Sequence, residues 1–345
     1  RERERPDRDL ASRWMALEEE GSQVGGSNAL LRAEVVDLQE VRASIWRGGA
    51  PEDAETRALV WKLLLEYLPA ERAVRDVASA EMRRRYGRIV AAVTTHPTDS
   101  APEDDHPLSD NKDSHWAKFF SVQESERLIT LDVRRTHPDL GAFRKLEASM
   151  RRVLIAYASQ HPNPGYRQGI NELLAPLIYV FSDASSESPE DAEADAYHCL
   201  CTIMSEMSPL YLSSPEPLNR EFVRLNEILQ LRDPKLYEHL SAVGVEPRLY
   251  ALRWLRLWLT QEFALPDTLL LWDSILTSCP RLPWLRYICA AMVIAVRDRL
   301  LSADFNVAAQ VLLRYATNNV RVQRVLALAD GLRTGLAPSV RGADD

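Results

Sequence analysis

Apolar positions recur at three- and four-residue intervals in one segment after another, and no stretch alternates convincingly with period two. The pattern predicts an all-α fold without a sheet. A first helix is expected over Leu30, Leu31, Val35, Val36, Leu38 and Val41, with Ser27 as its cap and Gly48-Gly49 as its stop. Ala54 to Tyr67 follows, between Pro51-Glu-Asp and Pro69. A basic amphipathic helix is expected at Glu81 to Val93, then a surface loop from Thr94 to Asp113, rich in Pro, Asp and Thr. The aromatic block Ser114 to Phe120 should pack beneath a helix capped near Ser121. Leu140 to Tyr157 and Ile170 to Phe181 are next. The remainder reads as helices at about 191–206, 217–231, 234–242, 248–262, 267–278, 284–301, 304–316 and 320–333, separated by Pro, Gly and Asp. No fixed-period repeat suggests a solenoid.

This pattern sets the expected domain order. Residues 1–26, charged and then Gly/Ser-containing, are read as a flexible tail and 336–345 as another. Between them lie an N-terminal helical lobe at 27–182, an acidic loop at 183–195 and a C-terminal helical lobe at 196–335. A chain of 345 residues is long enough for such a two-lobed core.

Charge and cysteine usage narrow the function. The 42 basic and 50 acidic residues leave a net charge of −8, which disfavours nonspecific nucleic-acid binding. Four cysteines, none in a C-x-x-C pair, are too few for a disulfide framework and fit a reducing cytosol. The charged N-terminus is read as neither signal peptide nor membrane anchor. The most apolar run, Tyr287 to Val296, falls far short of the ~20 residues that span a bilayer and is expected to be a buried core helix.

Two clusters between Ile129 and Gly169 carry candidate chemistry. Ile129, Asp132 and Arg135 stand at i, i+3 and i+6, so an apolar anchor, a carboxylate and a guanidinium share roughly one helix face. Pro138 cannot continue that helix, which leaves Arg135 in its last turn, able to reach past the end. The loop His161-Pro-Asn-Pro-Gly165 then runs through Tyr166-Arg-Gln168-Gly169 into a helical pattern, so Gln168 occupies a loop-to-helix junction. Hydrolysis of GTP uses a positive charge to stabilise the transferred phosphoryl group and an amide to orient water, roles that an arginine and a glutamine can fill.

The run I-x-x-D-x-x-R-T-x-P followed by Y-x-Q-G, with R-x-x-V-W upstream at Arg57 to Trp61, resembles the TBC-domain family, activators of Rab GTPases. The resemblance extends from about Ile45 to about Leu328, and Ile170, where the family commonly has Met, is a conservative departure. It implies a two-lobed, V-shaped helical domain in which Arg135 is an arginine finger and Gln168 a glutamine finger. Asp132, Ile129, Tyr166, Gly169, Asn171, Arg57 and Trp61 would support them, Arg57 by bracing the finger helix. Later blocks, Arg253-Trp254 with Glu262-Phe263 and Leu270-Leu-Trp272-Asp273, are similar to structural segments of the family.

The resemblance further implies an activator that completes a partner's site, not a stand-alone enzyme. The expected partner is a GTP-bound Rab GTPase bringing its own GTP and Mg²⁺; the chain lacks G-x-x-x-x-G-K-[ST], and no cofactor, metal, nucleic acid or membrane insertion is expected. A cytoplasmic location is expected, peripheral at endomembranes through the partner. The alternative is a helical scaffold or effector that holds a GTP-loaded GTPase without activating it. A small-molecule enzyme would need a nucleophile, metal or acid–base pair that the sequence does not offer.

Overall fold

The computed structural model describes residues 30–46, 51, 53–95, 105, 114–184 and 188–335. The two tails, the Ser27 cap, the Gly48-Gly49 stop and nearly all of the loop expected before Asp113 lie outside these residues. Among the described residues there is no strand, only one antiparallel bridge between Val35 and Glu71, and no helix long and apolar enough to cross a membrane.

The chain divides into two compact units, one of Leu30–Leu38 with Pro51–Leu212, the other, as far as described, of 39–46 with 213–335. The division after Leu212 replaces the boundary expected at the acidic run 183–195.

The expected first helix is interrupted. The backbone around Val35 is committed elsewhere: Val36 N donates to Ala70 O at 3.0 Å, and Arg72 N to Glu34 O at 2.7 Å, pairings that a continuous helix could not make. Helix α1 (Leu38–Trp46) starts beyond them and belongs mainly to the second unit.

The first unit contains α2 (Ala54–Leu64), α3 (Arg75–Thr94), α4 (His115–Arg135), α5 (Gly141–Gln160), α6 (Ile170–Ala184) and α7 (Pro189–Met207). Asp53 caps α2, its Oδ1 accepting from Thr56 N at 2.7 Å. Helix α4 begins at Ser114, whose Oγ accepts from Ala117 N at 2.9 Å, not at Ser121. The aromatic block is therefore the first two turns of α4 itself, because the better-placed cap precedes it. Helix α6 is apolar on nearly every side, and it packs against α2, α5 and α7, with a lighter contact to α4.

The acidic run is the plainest correction. From Pro189, behind the Ser188 cap, it is helix rather than loop, and Glu193 and Asp195 are buried. Alanines 192, 194 and 196 between them allow close approach to neighbouring helices. Asp195 is bonded by Lys62, by the Tyr67 hydroxyl and by Arg83, whose Nε donates to Oδ1 at 3.1 Å. Glu193 pairs with Arg152 and accepts from the Tyr86 hydroxyl at 3.1 Å. Acidic composition signals solvent only when no remote cation meets it, and here the cations come from α2, α3 and α5.

The second unit adds α8 (Glu216–Arg232), α9 (Pro234–Val243), α10 (Pro247–Arg256), α11 (Leu265–Leu276), α12 (Leu282–Ala295), α13 (Arg297–Leu301), α14 (Phe305–Leu313) and α15 (Val322–Thr334). Helix α12 is the expected core helix, fully buried from Ile288 to Val293, and packs on α8, α10 and α15. The helix expected over 248–262 ends at Arg256 because Trp258 and Leu259 take left-handed φ of 47° and 64°. That turn buries both side chains and lets the Trp258 carbonyl accept from Trp272 Nε1 at 3.3 Å. Arg253 Nε donates to the buried Glu262 at 2.6 Å. Trp46 lies 4.5 Å from Trp284.

Candidate functional site

The last turn of α4 and the loop before α6 form one hydrogen-bonded circuit. Thr136 leaves the helix with extended dihedrals, φ −76° and ψ 113°, and its hydroxyl donates to Asp132 O at 3.0 Å. His137 then adopts φ 42°, turning the chain before Pro138. Arg135 is therefore the last helical residue, as the sequence implied.

Asp132 binds on both sides. Its Oδ1 accepts from Arg135 Nη2 at 2.7 Å, and Oδ2 accepts from the Tyr166 hydroxyl at 2.8 Å. Asp132 is 7% exposed at its side chain, whereas Arg135 is 66% exposed. The carboxylate is thus a buried anchor, and the guanidinium is presented outward while its Nε also donates to Leu131 O at 3.1 Å. Burial and the Asp132 charge push the Tyr166 hydroxyl well above the usual phenol range, which keeps it a donor.

Asn171 closes the circuit. Its Oδ1 accepts from Gly169 N at 3.1 Å and lies 3.3 Å from the Tyr166 hydroxyl, while Nδ2 donates to Thr136 Oγ1 at 2.9 Å. These contacts define the amide's orientation. Gly169 is buried at φ 103°, a conformation costly for any residue with a Cβ. Gln168 stands between the two anchored positions, 166 and 169, and is exposed.

The supporting residues divide by location. Ile129 is fully buried in α4, a helix that packs chiefly on α5. Trp61 is fully buried in α2, and Arg57 donates from Nη2 to Pro51 O at 3.2 Å. Their helix packs on α6, so its connection to the site runs through the element that follows Gln168. Thr136, recognised only as part of a motif, carries a hydrogen bond that joins the two clusters.

His137 was not singled out by its sequence. Its ring sits 4.7 Å from Phe143, which stacks on Tyr179 at 5.8 Å, and its buried Nε2 has no hydrogen-bond partner. Burial lowers its pKa below the ordinary 6.5. With the folded value depressed, the neutral ring's contribution is complete above about pH 6.5 and is lost as pH falls through the folded-state pKa. The unfolding midpoint is therefore expected to fall as pH drops below about 6.5. His137→Asn, which tolerates positive φ, should flatten part of that slope, the rest coming from the similarly buried His198. Equal slopes in the two proteins would remove His137 from the account.

Comparison with known proteins identifies the family and the fold. The profile of the Rab-GTPase-TBC domain matches residues 54–301. TBC1 domain family member 13 of Mus musculus is 27% identical, over 87% of this chain and 95% of its own length. The GTPase-activating protein gyp1 of Schizosaccharomyces pombe is 27% identical, over 82% of this chain and 55% of its own length. In fold, the crystal structure of the Ypt/Rab-GAP domain of Gyp1p superposes with a TM-score of 0.75 at 22% identity, covering 90% of this chain and 96% of that one. The Chlamydomonas flagellar RabGAP TBC domain does so with 0.61 at 15% identity, covering 96% and 92%. With well over half its length matched by that profile, the chain belongs to the Rab-GTPase-TBC domain family.

Proposed function

We propose that this protein accelerates GTP hydrolysis on a GTP-bound Rab-type GTPase by inserting Arg135 and Gln168 into the partner's active site. Its family makes it an activator of Rab GTPases in the broad sense; the two-finger mechanism is the finer reading. One observation carries it: a buried circuit of Asp132, Tyr166, Asn171, Thr136 and Gly169 ties two separate segments together, yet leaves Arg135 and Gln168 themselves facing outward.

Groups kept ready in this way require little ordering when the partner docks. The Arg135 guanidinium would meet the charge that develops on the transferred phosphoryl oxygens, while the Gln168 amide, donor and acceptor together, would align the attacking water. GTP and Mg²⁺ would arrive with the GTPase. No proton needs to move to or from either finger.

The test is single-turnover GTP hydrolysis by a panel of purified Rab GTPases, with and without this protein. Acceleration of one or a few members is expected. Binding of GTP-loaded members without acceleration of any would overturn the activator reading and leave a scaffold.

Tyr166→Phe probes the circuit itself. It removes the hydroxyl and leaves Asp132 Oδ2 without that bond in a buried setting, which should lower stability by about 1–3 kcal/mol. Because the Arg135 anchor loosens as well, the maximal hydrolysis rate should fall by roughly tenfold while partner affinity changes little. Denaturant titration and single-turnover kinetics on the same variant check the two effects separately.

A further inference from the structure

Helix α4 has a second exposed feature besides Arg135. Leu128 is 55% exposed, Leu131 56% and Phe120 47%, whereas Ile129 and Val133 on the opposite side are 0% and 4%. At 100° per residue, Phe120, Glu124, Leu128, Leu131 and Arg135 fall within roughly an 80° sector. The stripe ends on the proposed finger, and packing within the first unit does not consume it.

We infer that Leu128 and Leu131, extended by Phe120, are the affinity-determining part of the partner-binding surface, occupied by an apolar patch beside the nucleotide of the GTP-bound Rab-type GTPase. The inference rests on the function proposed above. Arg135 Nε is held on the carbonyl of Leu131, so the guanidinium lies along this same face. A phosphate within hydrogen-bonding reach of Arg135 must bring the surface around it over Leu131, and over Leu128 one turn back. The occupant is thus set by continuity with the finger. Aliphatic side chains here cannot distinguish the ground state from the transition state, so they contribute uniform binding, and Arg135 contributes rate.

The test is the double variant Leu128→Ser/Leu131→Ser, measured against the responsive Rab GTPase. Expected is a fall in kcat/KM of about 10- to 100-fold, carried by KM and matched by weaker binding of the GTPase loaded with a nonhydrolysable GTP analogue. The maximal rate and the unfolding midpoint should stay unchanged. Val223→Ser/Leu231→Ser removes comparably exposed residues of α8, in the other unit, and serves as the control. Normal KM and affinity in the Leu128/Leu131 variant, or an equal loss in the control, would overturn the assignment while leaving the finger mechanism standing. Loss of self-association in the double variant, with GTPase binding intact, would overturn it in favour of a second copy of this chain. If the wild-type protein binds but accelerates nothing, the proposed mechanism fails and the binding arm still decides the stripe. If it neither binds nor accelerates any member, both fall.

Discussion

Arg135→Ala is expected to lower the stimulated rate of GTP hydrolysis by about 10³- to 10⁵-fold, the range seen when GTPases lose an arginine supplied to the transferred phosphoryl group. That loss corresponds to roughly 4–7 kcal/mol of transition-state stabilisation. It should appear in the maximal rate, with binding of the GTP-loaded partner little changed. The fold should tolerate the change, because Arg135 is 66% exposed and its salt bridge positions the side chain rather than supporting the core. Arg135→Lys should rescue little: an ammonium at this position cannot keep the Asp132 and Leu131 contacts and also present a fork to phosphate oxygens. Gln168→Ala should also lower the maximal rate. Single-turnover kinetics on the three variants would expose an error, since a near-normal rate in Arg135→Ala removes the arginine from the mechanism.

Asp195→Ala should be strongly destabilising to the first unit, by about 3 kcal/mol, because it takes the shared acceptor from two half-buried cations and from the buried Tyr67 hydroxyl. The Asp195 side chain is 2% exposed, and its partners Lys62 and Arg83 are 18% and 23% exposed. Against a typical domain stability of about 5–15 kcal/mol, that loss is a large share. Burial alone would raise the Asp195 carboxyl, but Arg83, Lys62 and the Tyr67 hydroxyl outweigh it and hold it below the ordinary 3.8. The folded value being depressed, the ionised carboxylate stabilises the fold above about pH 3.8 and that contribution is lost as pH falls through the folded-state pKa. The gap in stability between wild type and Asp195→Ala should therefore narrow in acid. Denaturant titrations at neutral and acid pH measure it, and a gap below about 1 kcal/mol at neutral pH would mean that the cations find water or other partners.

These two residues differ in how far the sequence revealed them. Arg135 was legible because its setting is local: helical spacing to Ile129 and Asp132, then a proline that stops the helix. Asp195 was misread, as part of an acidic loop, because its cations stand at positions 62 and 83 and its hydroxyl donor at 67. Leu128 and Leu131 show the same limit from the other side. Their spacing resembles that of any buried helical stripe, and burial of Ile129 and Val133 in their place is decided by which face of α4 meets the rest of the unit.

Whatever depends on neighbours a few residues apart could be read from the chain alone. The all-α class and most helix positions came from period, caps and breakers; α6, for example, was expected to start at Ile170 and does. The motif order placed Arg135 and Gln168 at a helix end and a loop junction. Long-range packing settled the rest: the joining of Tyr166 to Asp132 and Asn171 to Thr136, the break before α1 imposed by pairing with residues 70–72, and the left-handed turn that ends α10 by burying Trp258. Local free-energy preferences are written in adjacent residues, whereas burial and pairing exist only once segments far apart in the chain have come together.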